Sequence, residues 1–291
     1  MSRRWAGLAV FAVALVVAAG VAFWLTRPSS GAADVGRKPD RLPAPGSCWT
    51  VDSSAALGAF PWPGEPVDCA VEHTAEVFYH NQVDPALVRA AATAKGDDAA
   101  VRQNLMYAQA RRTCTVLAST YLGGSWHATR VRVIANWVKP QQSGYFGCAL
   151  VETADPAGNR FVRRTGSLKG AGRSLAIDCV NRDGPALVYV PCAQPHDGEF
   201  VGTYTITPPD APFDQTAVGN TASRGCTQTA LSFLALPGDA KRDDLRAGYV
   251  GPTSATEWLG SDQTFACYAL ALDGRLKGSL KSLGSGALPR P

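Results

Sequence analysis

The apolar positions of this chain fall into one long block followed by many short ones. Leu8 to Leu25 carries no charge, and Trp5 to Gly7 extends the block to 21 residues. At about 1.5 Å per residue such a helix spans the roughly 30 Å hydrocarbon layer of a bilayer. Arg3 and Arg4 precede it, and Trp5 and Trp24 stand near its two ends. Positive charge before the block predicts a cytoplasmic N-terminus, with the remainder facing outward. A cleaved signal peptide is the competing reading; it is disfavoured by the length of the core and by Arg27-Pro28 directly after it. Pro28 to Pro45 is rich in Pro, Gly, Ser and Ala without a periodic apolar face, and reads as a flexible tether.

Beyond the tether the apolar runs are short, and they recur in the same order twice. Pro66 to Cys69 and Ala186 to Cys192 each end in a cysteine. A polar turn follows each, and then come strand-like Glu76 to His80 and Glu199 to Ile206. This order predicts a hairpin with the cysteine on one arm and His-x-x-Glu at or just past its turn. Pro85 to Ala118 has helical rhythm, broken at Gly96-Asp97-Asp98, which predicts two helices with Asp97 or Asp98 capping the second. Thr221 to Leu236 predicts a shorter counterpart. Tyr145 to Glu152 and Thr264 to Leu272 predict closing strands. The layer pattern is α+β.

The duplication is visible residue by residue. Cys69, His73 and Glu76 recur as Cys192, His196 and Glu199, and Gly166-Ser167-Leu168-Lys169 recurs as Gly278-Ser279-Leu280-Lys281. Cysteine chemistry sharpens the picture. All eight cysteines (Cys48, Cys69, Cys114, Cys148, Cys179, Cys192, Cys226 and Cys267) follow the apolar block. An even count in an outward-facing region reads as a disulfide framework. Zinc is the runner-up, but no Cys-x-x-Cys pair exists and the four histidines are not spaced as finger ligands. Eight cysteines allow 105 pairings. If each copy repeats the same bridges, the simplest choice is Cys48–Cys69 with Cys114–Cys148, then Cys179–Cys192 with Cys226–Cys267.

These motifs resemble the septum formation family of actinobacterial envelope proteins. The second copy carries the resemblance: Asp178-Cys179, Val190-Pro191-Cys192-Ala193-Gln194-Pro195-His196-Asp197-Gly198-Glu199, Cys226, Pro252, Trp258, Gly260 and Cys267. The first copy departs from the pattern, with Ser47 in the acidic position, Glu72 in the place of Pro195, and Trp137 standing for Trp258 at shifted spacing. The resemblance spans roughly residues 46 to 282. It implies an anchored envelope protein of cell division or wall assembly and specifies no activity.

Charge and motif content restrict the chemistry. The chain has 28 basic and 24 acidic residues, and Arg3, Arg4 and Arg27 flank the apolar block, so the exposed part is nearly neutral. That composition opposes a nucleic-acid binder. No nucleophile elbow, phosphate-binding loop or zinc-protease helix is present. His73, Glu76, His196 and Glu199 read as structural residues of a turn, with metal binding or proton sharing as the functional alternative. His80 and His127 have no counterparts in the second copy. A Ser-Lys dyad from Ser167 and Lys169, or from Ser279 and Lys281, lacks supporting groups. Phe60 and Trp62, in a short loop between Gly58 and Gly64, are expected to pack in the core of the first copy, with an exposed binding surface as the alternative that the shortness of the loop suggests.

The expected organisation is therefore a cytoplasmic tip and transmembrane anchor at 1–27, a linker at 28–45, repeats at 46–170 and 175–282, and a tail at 283–291. The expected function is non-enzymatic binding or scaffolding outside the cell membrane. Partners would be the membrane, division or envelope proteins, or wall glycan, with no nucleic acid, cofactor or metal. The alternative is a wall-directed hydrolase around His196 and Glu199, and a metal-sensing module is a third.

Overall fold

The computed structural model describes residues 35–139, 141–208 and 212–291. The expected anchor and most of the linker lie outside the described residues. Among the described residues no helix is long and apolar enough to cross a membrane.

Two antiparallel sheets organise the molecule, each covered by one long helix. The first contains β1 (Ser47–Trp49), β2 (Ala75–Gln82), β3 (Val131–Trp137) and β4 (Tyr145–Glu152), in the order β1-β2-β4-β3. The second contains β5 (Cys179–Asp183), β6 (Ala186–Val190), β7 (Gly198–Thr205), β8 (Leu245–Val250) and β9 (Thr264–Ala271), in the order β6-β5-β7-β9-β8. The registers correspond. Cys48 lies opposite Glu76, and Cys179 opposite Glu199. Beyond each glutamate the strand carries a bulge, between Val77 and Tyr79 and between Phe200 and Gly202. The extra residue re-aims the side chains that follow, so Tyr79 meets Cys148 and Gly202 meets Cys267.

Helices α1 (Pro85–Thr93), α2 (Asp97–Leu122), α3 (Gln215–Phe233) and α4 (Ala255–Gly260) complete the fold. The two long helices bury a ridge of every fourth residue, the spacing that stacks side chains on one face. In α2 the ridge is Met106, Ala110, Cys114, Ala118 and Leu122; in α3, continued by one residue, it is Val218, Ala222, Cys226, Ala230 and Leu234. A fully buried cystine centres each ridge and staples helix to sheet, Cys114–Cys148 in one half and Cys226–Cys267 in the other. Cys48–Cys69 and Cys179–Cys192 close the two cysteine turns. No described cysteine is free.

Several expectations are corrected. The run ending in Cys192 is not hairpinned to the strand after His196: β6 pairs with β5, and β5 stands between it and β7. In the first half the corresponding run makes only a bridge from Val67 to Cys48. Neither Asp97 nor Asp98 caps α2. Gly96 occupies the cap without a side-chain bond, and Asp98 pairs instead with Arg102 one turn on. Helix α3 begins earlier than expected because Asp214 caps it, its carboxylate accepting from the Ala217 N–H. The strands β3 and β8 were not anticipated.

Phe60 and Trp62 do not form an exposed surface. They are 1% and 3% exposed. The Phe60 N–H donates to the Trp137 carbonyl, and the Lys139 N–H to the Phe60 carbonyl, drawing the loop along the edge of β3. The rings then pack at a 4.3 Å centroid separation, with Trp49 edge-on to Trp62 at 5.8 Å. With Val77, Ile134 and Val151 they form a second core on the sheet face opposite α2. A short loop buries two large rings here because backbone pairing lays it flat on the sheet.

Candidate functional site

The residues that recur in the sequence converge on two matching nodes. In the first, His73 and Arg164 exchange backbone hydrogen bonds, bringing the segment after β4 back across the sheet. Glu76, fully buried on β2, then receives that segment. Its Oε1 accepts from the Ser167 hydroxyl at 2.6 Å and its Oε2 from the Leu168 N–H at 2.5 Å. The second node repeats this. His196 and Leu276 exchange backbone bonds, Ser279 donates to Glu199 Oε1 at 2.7 Å, and the Leu280 N–H donates to Oε2 at 2.6 Å.

Each returning segment is a strap that also finishes a helix. The last carbonyls of an α-helix have no partner within it. Here the Gly170 and Gly172 N–H groups donate to the Tyr121 and Leu122 carbonyls, and the Ser282 and Gly284 N–H groups to those of Phe233 and Leu234. Leu168 and Leu280 insert fully buried into the two main cores. A carboxylate on the sheet thus fixes a strap whose leucine packs under a helix end. The Gly-Ser-Leu-Lys tetrapeptide supplies the hydroxyl, the amide and the anchor.

The nodes differ in one donor. Tyr121, the last residue but one of α2, gives its hydroxyl to Glu76 at 2.5 Å. Burial first, and then the bond and charge of Glu76, hold this phenol well above its ordinary pKa. Phe233 occupies the same place relative to Cys226 and has no hydroxyl to offer.

This geometry opposes catalysis and metal binding at the nodes. Ser167 Oγ donates to Glu76 and accepts the Lys169 N–H, bonds that hold the strap, and among the described residues no hydrogen bond joins it to the Lys169 ammonium. Ser279 is held likewise by Glu199 and Lys281. A ligand atom from each of Cys48, His73 and Glu76 lies within 4.8 Å of the others. Yet the Cys48 sulfur is bonded to Cys69 and is no thiolate, and Glu76 already accepts three hydrogen bonds. His73 Nδ1 donates to the Val71 carbonyl at 2.9 Å, and His196 Nδ1 to the Gln194 carbonyl at 2.8 Å. Each ring is thereby fixed, with Nε2 enclosed and unpartnered.

A different site lies where the halves meet. Trp126 to Ala128 form a short 3₁₀ turn after α2, and this turn rests on β7 and β9 of the other half. His127 Nε2 lies 2.6 Å from Asp262 Oδ2 and Arg112 Nε donates to the Leu259 carbonyl at 2.7 Å, closing the junction from both sides. Between them is a cavity of about 170 Å³ walled by Arg111, Trp126, Arg132, Tyr189, Glu257 and Tyr268. Arg111 Nε and the Trp126 indole N–H are buried without hydrogen-bond partners, while the Tyr268 hydroxyl faces that of Tyr189. Burial, and then the neighbouring Arg111 charge, lower the Arg132 pKa. Burial pushes Tyr189 up to about 12. The sequence singled out none of Arg111, Arg132, Tyr189, Glu257 and Tyr268 as a site, because they are contributed by segments far apart and share no spacing motif.

A family model described as septum formation matches residues 45–267, a span that takes in both sheets as one match. No curated protein and no solved structure matches the chain significantly.

Proposed function

Because the chain belongs to the septum formation family, we propose that it is a membrane-tethered binding or scaffolding module of cell division or envelope assembly, acting outside the cytoplasmic membrane and built from two copies of one disulfide-stapled α+β unit. The tether rests on Leu8 to Leu25, and the four disulfides fit an oxidising compartment. The matched strand registers, helix ridges and straps support the duplication.

One observation carries the non-enzymatic reading. Both Glu-Ser sets are consumed in holding the chain's own straps, and they are consumed in the same way twice. A general acid or base must reach a substrate proton within hydrogen-bonding distance. Glu199 instead has each oxygen occupied and lies buried. The test is incubation of the full-length protein in detergent with insoluble cell wall, assaying the supernatant for soluble wall fragments. The expected result is none above a heat-denatured control. Fragments released by the native protein and lost with Glu199→Gln would establish the hydrolase instead.

A further inference from the structure

The junction cavity has an excess of donors that the protein itself leaves unmet. Arg111 Nε and the Trp126 indole N–H are enclosed with no acceptor, whereas the fully buried Tyr268 hydroxyl faces that of Tyr189. A buried donor without an acceptor costs about 1–3 kcal/mol, so two lining one cavity mark a place that an acceptor fills. Arg111 makes only a long bond, 3.4 Å, from Nη1 to the Val133 carbonyl, and Arg132 Nη1 is given to the Gly158 carbonyl at 2.9 Å.

The charge around the cavity selects among acceptors. Arg111 and Arg132 are opposed by Glu257, whose Oε2 already accepts from the Thr253 N–H and hydroxyl. No ion pair joins Glu257 to either arginine among the described residues. His127 and Asp262 satisfy each other at the rim. The unmet groups are donors and one is a guanidinium, so the cavity takes an acceptor; with Glu257 and Asp155 already opposing the arginines, a singly charged carboxylate suits it better than a phosphate dianion. An arginine and an indole N–H lining one cavity suit a planar two-oxygen acceptor. Trp126, Tyr189 and Tyr268 supply apolar walls for the stem that carries it. The volume is below the roughly 300 Å³ at which pockets for whole drug-sized ligands begin, so the cavity takes an end group.

We propose that the junction between the two halves is a binding site for a carboxylate-bearing chain end, with Arg111 and the Trp126 indole as its donors. The proposal deepens the binding reading above and rests on it.

The test uses full-length protein in detergent, labelled with ¹⁵N at tryptophan, in which the seven indole N–H signals are followed and Trp126 is assigned by Trp126→Phe. The probes are N-acetylalanine, its neutral isostere N-acetylalaninamide, and inorganic phosphate. N-acetylalanine is expected to shift the Trp126 signal saturably, the amide to bind at least tenfold more weakly, and Arg111→Met to remove the response. No saturable shift, equal binding of acid and amide, a phosphate response as strong as that of the acid, or a response surviving in Arg111→Met would overturn the proposal. The acid–amide comparison needs no variant, so misfolding of Arg111→Met cannot decide it. Failure here leaves the wall-fragment assay untouched, and release of wall fragments there leaves this titration untouched.

Discussion

The two halves share a skeleton and differ in what they place on it. Both have a buried glutamate opposite a cystine strand, a bulge after it, a strap held by Ser and Leu, and a helix ridge centred on a second cystine. The first half adds Tyr121 to its glutamate and covers its outer sheet face with Trp49, Phe60 and Trp62. The second has Phe233 in place of Tyr121, and its outer face, with Ile177, Val180 and Tyr268, borders the junction cavity. Arg111 and Tyr268, which face that cavity, have Ser223 and Ala149 in the corresponding positions of the other half. What the two halves share ties each sheet to its helix and strap, and what differs between them lines the cavity.

The largest effects should fall on the shared staples. Replacing Cys226 and Cys267 together by Ala opens a separation of 41 residues, and replacing Cys179 and Cys192 opens one of 13. The chain-entropy model gives about 4 and about 3 kcal/mol respectively, to be read from urea unfolding of the two variants. Equal losses would show that native packing, not loop closure, dominates.

Removing the carboxylates comes next. Glu76→Ala strands three donors and Glu199→Ala two. Losses of about 3 and about 2 kcal/mol are expected, since the strap hydroxyls can turn to water while the Leu amides are buried. The same titration distinguishes the halves at Tyr121→Phe, which should cost about 1 kcal/mol and reduce Glu76 to the two-donor state of Glu199.

Glycine contacts give a comparable contrast. A Cβ at Gly225 would lie 2.3 Å from the Tyr204 ring, which packs flat on α3. Gly225→Ala should cost about 1 kcal/mol or more despite the better helix propensity of alanine, whereas Thr113→Ala at the corresponding place on α2 should change stability by less than about 0.5 kcal/mol. Thermal unfolding of the pair checks this.

The smallest effect concerns the junction. Burial raises the Asp262 pKa, but the bond and charge of His127, with bonds from Thr264, outweigh it and hold it below the ordinary value. A carboxylate depressed in the folded state contributes stability above its unfolded pKa, about 4, and loses it as pH falls through the lower folded value. Because Asp262 is 45% exposed the effect is small. Acidification below about pH 4 should shift the Trp126 indole signal, and Asp262→Asn should remove that step.

How much of this was legible follows the range of each interaction. The cystine pairs coincide with those the duplicated spacing makes simplest, because each pair lies within one short run of elements. The helices were visible from rhythm, but the end of α3 at Gln215 depended on the Asp214 cap, which the apolar pattern does not report. The tetrapeptides and glutamates were both conspicuous, yet they meet across 91 residues in one half and 80 in the other, and nothing local indicates that closure. That Phe60 and Trp62 lie flat on the sheet could not be read from their loop, because the pairing to Trp137 was invisible before β3 was known. Arg111 and Trp126 carried no spacing signal, since the cavity exists only once the halves dock.

The central claim, that the two glutamates hold the straps, is tested most directly by native-state hydrogen exchange at the Leu168 and Leu280 amides. Both should rank among the slowest-exchanging amides outside the central strands, with Glu76→Gln accelerating Leu168 at least tenfold and leaving Leu280 unchanged. Rapid exchange at either amide in the unaltered protein would contradict the account.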